Sequence, residues 1–411
     1  GSTTIFDAVA YRVLPENVES WRDETGMVNE RGEPISYADM VPLLEKIEGE
    51  TGVRPYTDWE PGVQRMSEGF TKLGLPLEPT PAFISLDCDH SGCLQGCPTG
   101  AKKGSLVAYV IPAVYDGAEL ITGSYVTEVL LRKTDGEKGL EAYGVKFRSR
   151  DGGTRTLTSK VVALCAGTLQ TPQILLASKV SERAGHTKSS EQIGRNLAAH
   201  TLSVTFGRFD EVLNNWVHHP LSAALMNFAP VAKGGFSFEM STVNEGPINF
   251  AQALADEEGV PMYGERLKRV TKDYRLMAGI LIAIHDANDG RVMLDEEGRE
   301  KIYKPVTSAD MVRIQKARKL ATEGLVAAGA RETYNSTLVS HHVQGSCRMG
   351  EDRSMSAANS NGELHDVHRL FVCDGSAIPT VVDVNPALTI YALAEKVSQY
   401  LLSEGCTYLR G

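Results

Sequence analysis

The sequence predicts an α/β protein in two parts. One is a doubly wound unit on a parallel sheet, discontinuous in sequence; the other is built on an antiparallel sheet flanked by helices. Three observations lead there. Leu370-Phe371-Val372-Cys373 is a short apolar run of the kind buried in a parallel sheet, and it stops at the turn-forming Asp374-Gly375-Ser376 ahead of a helix. Val161-Val162-Ala163-Leu164-Cys165-Ala166-Gly167 does the same, running into a glycine turn and then Thr171-Pro172 with the apolar Ile174-Leu175-Leu176. Between them, Leu202-Ser203-Val204-Thr205-Phe206 and Met277-Ala278-Gly279-Ile280-Leu281-Ile282 read as strands of an antiparallel sheet.

The carboxyl-terminal helix is the most secure element. Asn385 is a good cap and Pro386 is pre-set for the first helical position. Ile390, Leu393, Ala394, Val397 and Leu401 follow at steps of three or four, and Gly405 reads as the stop. Ligands in open α/β sheets sit beyond the carboxyl ends of strands, so Asp374 and Gly375 are candidates for cofactor contact. Upstream, His342 stands beside a small-residue loop with Gly345 and Ser346. Taken singly, Asn385 is explained as a cap and a lone histidine is most often structural; His341 is read as structural.

Composition narrows the class of partner. A chain of 411 residues exceeds what one small core supports, so two packed regions are expected. Hydrophobic content of 42% and charged content of 23% are ordinary for a globular protein. A formal net charge of −10 argues against nucleic acid or an anionic membrane as the main partner and leaves small molecules. The sequence shows no charged-then-apolar leader and no apolar run near the ~18 residues that span a bilayer. A cytoplasmic protein without a membrane span is expected, or a periplasmic one if a leader has been removed. The seven cysteines are scattered except for Cys88, Cys93 and Cys97, and do not read as a disulfide framework.

In chain order, Ser36-Tyr37-Ala38-Asp39 resembles a capping box, with Met40, Leu43, Leu44 and Ile47 at helical spacing. Pro42 belongs in a first turn, which places the helix from near Asp39 to about residue 50. From Leu106 the chain reads as strand-rich, with Ala118–Thr122 and Tyr125–Leu131 as strands. Tyr143–Phe147 and Thr154–Thr158 suggest a hairpin around Asp151-Gly152-Gly153. Lys316 to Ala328 reads as a helix. Cys88-x4-Cys93-x3-Cys97 has the soft ligands of an iron–sulfur cluster or zinc but lacks a fourth. A Gly/Cys-rich loop with a disulfide or buried thiols is the reading preferred here.

Three motifs in order, HHVQGSCRMG, FVCDGSAIPT and NPALTIYALAEK, resemble the carboxyl-terminal signature of the glucose-methanol-choline (GMC) flavoprotein oxidoreductases. CAGTLQTPQILLAS resembles the family's second signature, and Ile193-Gly194-Arg195-Asn196-Leu197 with His200 resembles the segment that follows it. The resemblance implies FAD as cofactor, with His342 and Asn385 facing the reactive edge of the flavin. It places Ala166, Gly167, Asp374, Gly375, Asn385, Pro386 and Ala387 close to the cofactor, and Val126 against the adenine through its backbone. The opening GSTTIF, whose Gly1-Ser2 also reads as a cloning remnant, resembles an interior glycine segment in which Gly1, Ser2 and Thr3 would approach the flavin diphosphate.

The implied division gives residues 1–54, 101–200 and 339–411 to the FAD-binding domain, 55–100 to a flavin-proximal Cys-rich region, and 201–338 to the substrate domain. Trp216, His218 and His219 would then be near the pocket, or simply packed.

The chemistry explains the residue types. Oxidising an alcohol needs a base for the hydroxyl proton while hydride leaves carbon, and a neutral imidazole suits it. Asn385 can orient the substrate oxygen without competing for its proton, and the positive end of its helix favours an anionic reduced flavin. The family's G-x-G-x-x-G turn occurs nowhere in the sequence, so a second polypeptide is expected to supply that dinucleotide-binding β-α unit. The expected function is FAD-dependent oxidation of a CH–OH group to a carbonyl, with oxygen, a quinone or a protein cluster chain receiving the electrons. The alternatives are a flavin-containing lyase without redox turnover and a non-catalytic subunit of a flavoprotein complex.

Overall fold

α1 (Pro15–Thr25) opens on a proline whose fixed φ suits a first turn, and it ends where Gly26 turns left-handed. α2 (Tyr37–Thr51) starts at the Ser36/Asp39 box, where the Asp39 carboxylate accepts the Ser36 N–H at 2.9 Å. It begins two residues ahead of the position Pro42 suggested, because the cap fixes the start and the helix absorbs the one hydrogen bond that Pro42 cannot make. The computed structural model describes every residue except 1, 89–92, 217–218, 242–245, 257–258 and 410–411.

β1 (Arg54–Pro55), α3 (Pro61–Lys72), β2 (Glu78–Pro79) and β3 (Pro81–Ala82) follow. Leu106–Val110 is a π-helical turn that runs into α4 (Ile111–Tyr115), where the sequence had suggested strand. Short apolar runs fit either structure, and tertiary packing decides. Ala118–Thr122 forms no strand; among the described residues nothing pairs with it, and Leu120 and Ile121 are left exposed. β4 (Tyr125–Lys133), β5 (Leu140–Arg148) and β6 (Thr154–Thr158) form the expected antiparallel meander.

β7 (Val162–Leu164), α5 (Gln170–Ala177), α6 (Val180–Ala184) and β8 (Arg195–Leu197) lead into the larger sheet. Its elements are β9 (Leu202–Arg208), β10 (Leu221–Leu225), β11 (Phe236–Ser241), α7 (Gly246–Ala253), β12 (Leu254–Ala255), α8 (Gly264–Lys272) and β13 (Met277–Ile284). β14 (Gly290–Leu294) and β15 (Glu300–Tyr303) join β8 in a separate three-stranded sheet, and α9 (Ser308–Ala327) and β16 (Glu332–Ser336) return the chain to the larger one, before β17 (Leu370–Val372) and α10 (Ala387–Leu409). α9 starts eight residues ahead of Lys316, at a Thr307/Asp310 capping box.

Seven strands pair antiparallel in the order β12-β16-β9-β13-β11-β10-β2. Alternation gives the sheet two faces. Phe236, Phe238, Met240, Ile280, Ile282 and Ile284 share a core with Ile314, Ala317, Ala321 and Leu325 of α9. On the opposite face Glu239 lies across from Leu281, and Leu281 across from Val204. Val204 packs there against a cluster that includes Phe206, Phe250 and Tyr334, and Leu281 stays half-buried although its strand is central.

A second core gathers Trp21 and Leu44, Leu175, Phe371 and Leu388 from distant parts of the chain. β7 and β17 form the one parallel pair among the described strands. No helix among the described residues is long and apolar enough to cross a membrane.

α3 crosses α9 at two glycines. A Cβ on Gly69 would lie 2.5 Å from the Gly324 carbonyl oxygen and 2.6 Å from the Ala328 nitrogen, backbone atoms that cannot yield. Gly69→Ala should therefore lose stability by about 1–3 kcal/mol through overpacking, more than the roughly 1 kcal/mol it gains in helix propensity. Thermal unfolding checks this, and a higher melting temperature would contradict the crossing.

Candidate active site

The carboxyl ends of β7 and β17 are held together by one carboxylate. Asp374 accepts the Gly167 N–H at 2.9 Å and the Thr171 hydroxyl at 2.5 Å on one oxygen, and the Ser376 N–H at 2.8 Å on the other. Around this tie the rim of β7 is open: Ala163, Cys165 and Ala166 are exposed. Gly167 has φ 91°, and a Cβ there would meet no described atom within 4 Å. Backbone that a ligand must approach closely has this form. Gly375 differs, since a Cβ would come within 2.6 Å of Thr168 Oγ1; packing within the chain requires that glycine.

α10 is capped one residue later than the sequence suggested. The Pro386 carbonyl accepts the Ile390 N–H at 2.8 Å, so the helix starts at Ala387 and Asn385 stands outside it. Its side chain is drawn elsewhere. Asn385 Nδ2 donates to Glu239 Oε2 at 3.2 Å and lies 3.5 Å from His342 Nε2, while Oδ1 is buried with no partner among the described residues. The helix also passes through Gly405 to Leu409. Tyr408 packs edge-on to Phe371 at 5.9 Å, and that burial outweighs the roughly 1 kcal/mol cost of a mid-helix glycine.

His342 and Asn385 are thus brought together, whereas His341 is exposed. The His342 side chain is half-buried, and its Nδ1 lies 3.1 Å from His200 Nδ1. Burial, then the neighbouring His200 and His341, hold it well below the usual imidazole range, so it is neutral and able to accept a proton. Glu239 is pushed the other way: burial raises its carboxyl to about 8 and keeps it protonated at neutral pH. Sequence reasoning missed Glu239. Its signal was a carboxyl in the apolar alternation Phe236-Ser237-Phe238-Glu239-Met240, which reads equally as a solvent-facing position.

Of the remaining expected contacts, Gly1 lies outside the described residues and Ser2 is exposed in a 3-10 turn. Thr3 Oγ1 sits 2.8 Å from Ser105 Oγ and accepts the Ser105 N–H at 3.1 Å. Lys102 pins this segment to the cysteine loop, its ammonium donating to the carbonyls of Thr4, Phe6 and Cys93. Val126 is half-buried on β4 at the edge of the α10 core. Cys93 and Cys97 are free thiols, Cys88 is half-buried, and burial pushes the Cys93 thiol up to about 12. Among the described residues no three His, Cys, Asp or Glu side chains gather as a metal-holding group. Trp216 stacks on Tyr274 at 5.0 Å and His219 on Tyr56 at 4.8 Å; His218 lies outside the described residues.

Buried polar atoms lacking partners test whether FAD fits. Asn385 Oδ1 and Thr389 Oγ1 are both in that position at the start of α10, where first-turn amides also have no acceptor in their own helix. With the open Gly167 rim, they suit a flat polar ring and its dinucleotide arm.

Comparison with known proteins places this geometry. The chain is 27% identical over 387 residues to long-chain-alcohol oxidase FAO4B of Arabidopsis thaliana, covering 82% of this chain and 49% of that protein. It spans about half the length of the curated relatives that head the comparison. A solved structure of pyridoxine 4-oxidase from Mesorbium loti superposes with a TM-score of 0.73 at 18% identity, over 97% of this chain and 83% of that one. Formate oxidase gives 0.73 at 12% identity, over 99% and 84%; both likenesses concern the fold. The GMC oxidoreductase family, whose members bind FAD, is described by an amino-terminal sequence model that matches residues 1–202 and a carboxyl-terminal one that matches residues 267–394. The chain belongs to that family.

Proposed function

We propose that this chain is the catalytic body of an FAD-dependent enzyme that oxidises a CH–OH group to a carbonyl. The observation that carries the reading is the 3.5 Å approach of His342 Nε2 to Asn385 Nδ2, from a loop and a helix start that are far apart in sequence. Bound FAD would supply the hydride acceptor. Ala166, Gly167, Asp374, Gly375, Pro386 and Ala387 would hold it, with Ser2, Thr3 and Val126 toward its dinucleotide arm.

The neutral His342 takes the hydroxyl proton at Nε2. Asn385 fixes the substrate oxygen beside that nitrogen. Glu239, being protonated, keeps negative charge away from an oxygen that is becoming negative, and the positive end of α10 favours the same charge. Leu281, half-buried and directly across from Glu239 on the same sheet face, suits an apolar part of the substrate, as a long-chain alcohol has. In this reading residues 201–338 form the substrate domain.

The finer reading is that a second polypeptide completes the dinucleotide site. Its support is the absence of G-x-G-x-x-G from these residues and the strand-like Ala118–Thr122, which has no strand partner among the described residues. Mass analysis of native flavin-containing protein should give two chains; one chain carrying both the G-x-G-x-x-G turn and these residues would remove the second polypeptide.

His342→Ala should leave flavin bound but slow its anaerobic reduction by an alcohol at least about 10²-fold. Unchanged reduction would take His342 out of the mechanism. The buried carboxyls give a second expectation. Burial raises Glu239 and Glu60 each to about 8 from an ordinary 4.5, so the folded state holds protons that the unfolded state releases. Their contribution to stability is complete below about pH 4.5 and is lost as pH rises through about 8. The melting temperature should fall across that window, and Glu239→Gln should flatten part of the fall. An unaltered slope would mean that Glu239 is ionised in the folded protein.

A further inference from the structure

We propose that His200 is a positioning residue that fixes the proton of His342 on Nδ1 and leaves Nε2 bare as the base. The inference rests on the reading of His342 as base given above. It follows from the partners of the two rings.

His200 Nε2 faces the carbonyl oxygen of Val382. A carbonyl only accepts, so Nε2 carries the hydrogen, and in a neutral ring Nδ1 is then a lone pair. That lone pair lies 3.1 Å from His342 Nδ1. Of two facing nitrogens one must donate, and His200 Nδ1 has nothing to give. His342 Nδ1 therefore holds the proton, and the lone pair falls on Nε2, the atom 3.5 Å from Asn385 Nδ2. Left alone in water, an imidazole prefers its hydrogen on Nε2, which would block the base.

His200 is built for this place. Its φ of 42° lies in the left-handed region, where a residue other than glycine is strained by about 1–3 kcal/mol. The Asp286 carboxylate holds the backbone there, accepting the N–H groups of Ala199 and His200 at 3.2 Å each and the Thr201 hydroxyl at 3.3 Å. Asp286 is fully buried and is answered by Lys304 Nζ at 3.4 Å.

The titratable groups that face His200 are Asp286, Asp383, His285 and His342. Asp383 is already engaged by His285 Nδ1 at 2.5 Å and Asn17 Nδ2 at 2.9 Å. Burial outweighs these carboxylates and holds His200 below the usual imidazole range, so the ring is neutral. A charged His200 would donate through Nδ1 and reverse the tautomer of its neighbour.

The test is a two-bond proton–nitrogen correlation spectrum of the flavin-loaded protein labelled with ¹⁵N-histidine, the His342 signals being identified by their loss in His342→Ala. The expected spectrum has a protonated Nδ1 and a bare Nε2 on His342. In His200→Leu the proton should move to Nε2, with flavin reduction slowed about 10²-fold in kcat and KM little changed. His200→Asn, whose carbonyl oxygen can take the place of Nδ1 as acceptor, should restore both the tautomer and most of the rate. A protonated His342 Nε2 in the unaltered protein overturns the inference, as does a His200→Leu protein that reduces flavin at the normal rate. If His342→Ala still abolishes reduction in that event, only the role of His200 falls; if it does not, the reading of the base falls too.

Discussion

The Asp374 carboxylate is the constraint on which the site depends. It gathers donors from Gly167 and Thr171, more than two hundred residues away, and from its neighbour Ser376. Hydrogen bonds to a charged acceptor contribute about 1.5–3 kcal/mol each, so this one group fixes the relative height of β7 and β17. The chain leaving β17 is then stitched to the histidine loop: Gly345 N–H to Gly375 O at 2.9 Å, Cys347 N–H to Ser376 O at 2.8 Å, Met349 N–H to Ala377 O at 3.0 Å. Thr168 closes the triangle by donating to the Val343 carbonyl at 2.8 Å. Loop and helix start are placed from one anchor, and His342 meets Asn385 as a result.

That arrangement also frees the side chain of Asn385. A cap and a site residue want the same side chain, and it cannot serve both. By passing the cap to Pro386, whose missing N–H costs nothing there, the fold releases the carboxamide. The two titratable side chains it meets, His342 and Glu239, are both neutral at neutral pH, since burial discharges them in opposite senses. Such burial opposes folding, and surrounding structure such as the Asp286 and Lys304 pair has to offset it.

Much of this was legible in the sequence because it is local. Strand-to-turn transitions at Gly167 and Asp374, the capping box at Ser36 and the period of α10 each depend on a few neighbouring residues. The order of the motifs supplied the pairing of His342 with Asn385. What escaped was set by distant packing. Glu239 reads as an outward-facing carboxyl until β11 is found inside a seven-stranded sheet. Leu106–Tyr115 fits strand or helix equally, and only the fold chooses. Gly405 is a stop signal by composition, overruled by Tyr408 packing on Phe371. The start of α10 moved by a single residue, a shift too small for propensity to register.

The exposed stretch before β4 has a consequence for how the protein comes into being. Leu120 and Ile121 stand 57% and 45% exposed on a stretch with strand-forming composition and no strand partner among the described residues. An exposed apolar stretch of that kind offers itself to any chain with a matching ladder, including another copy of itself. Folding therefore competes with self-association while the chain is still being made.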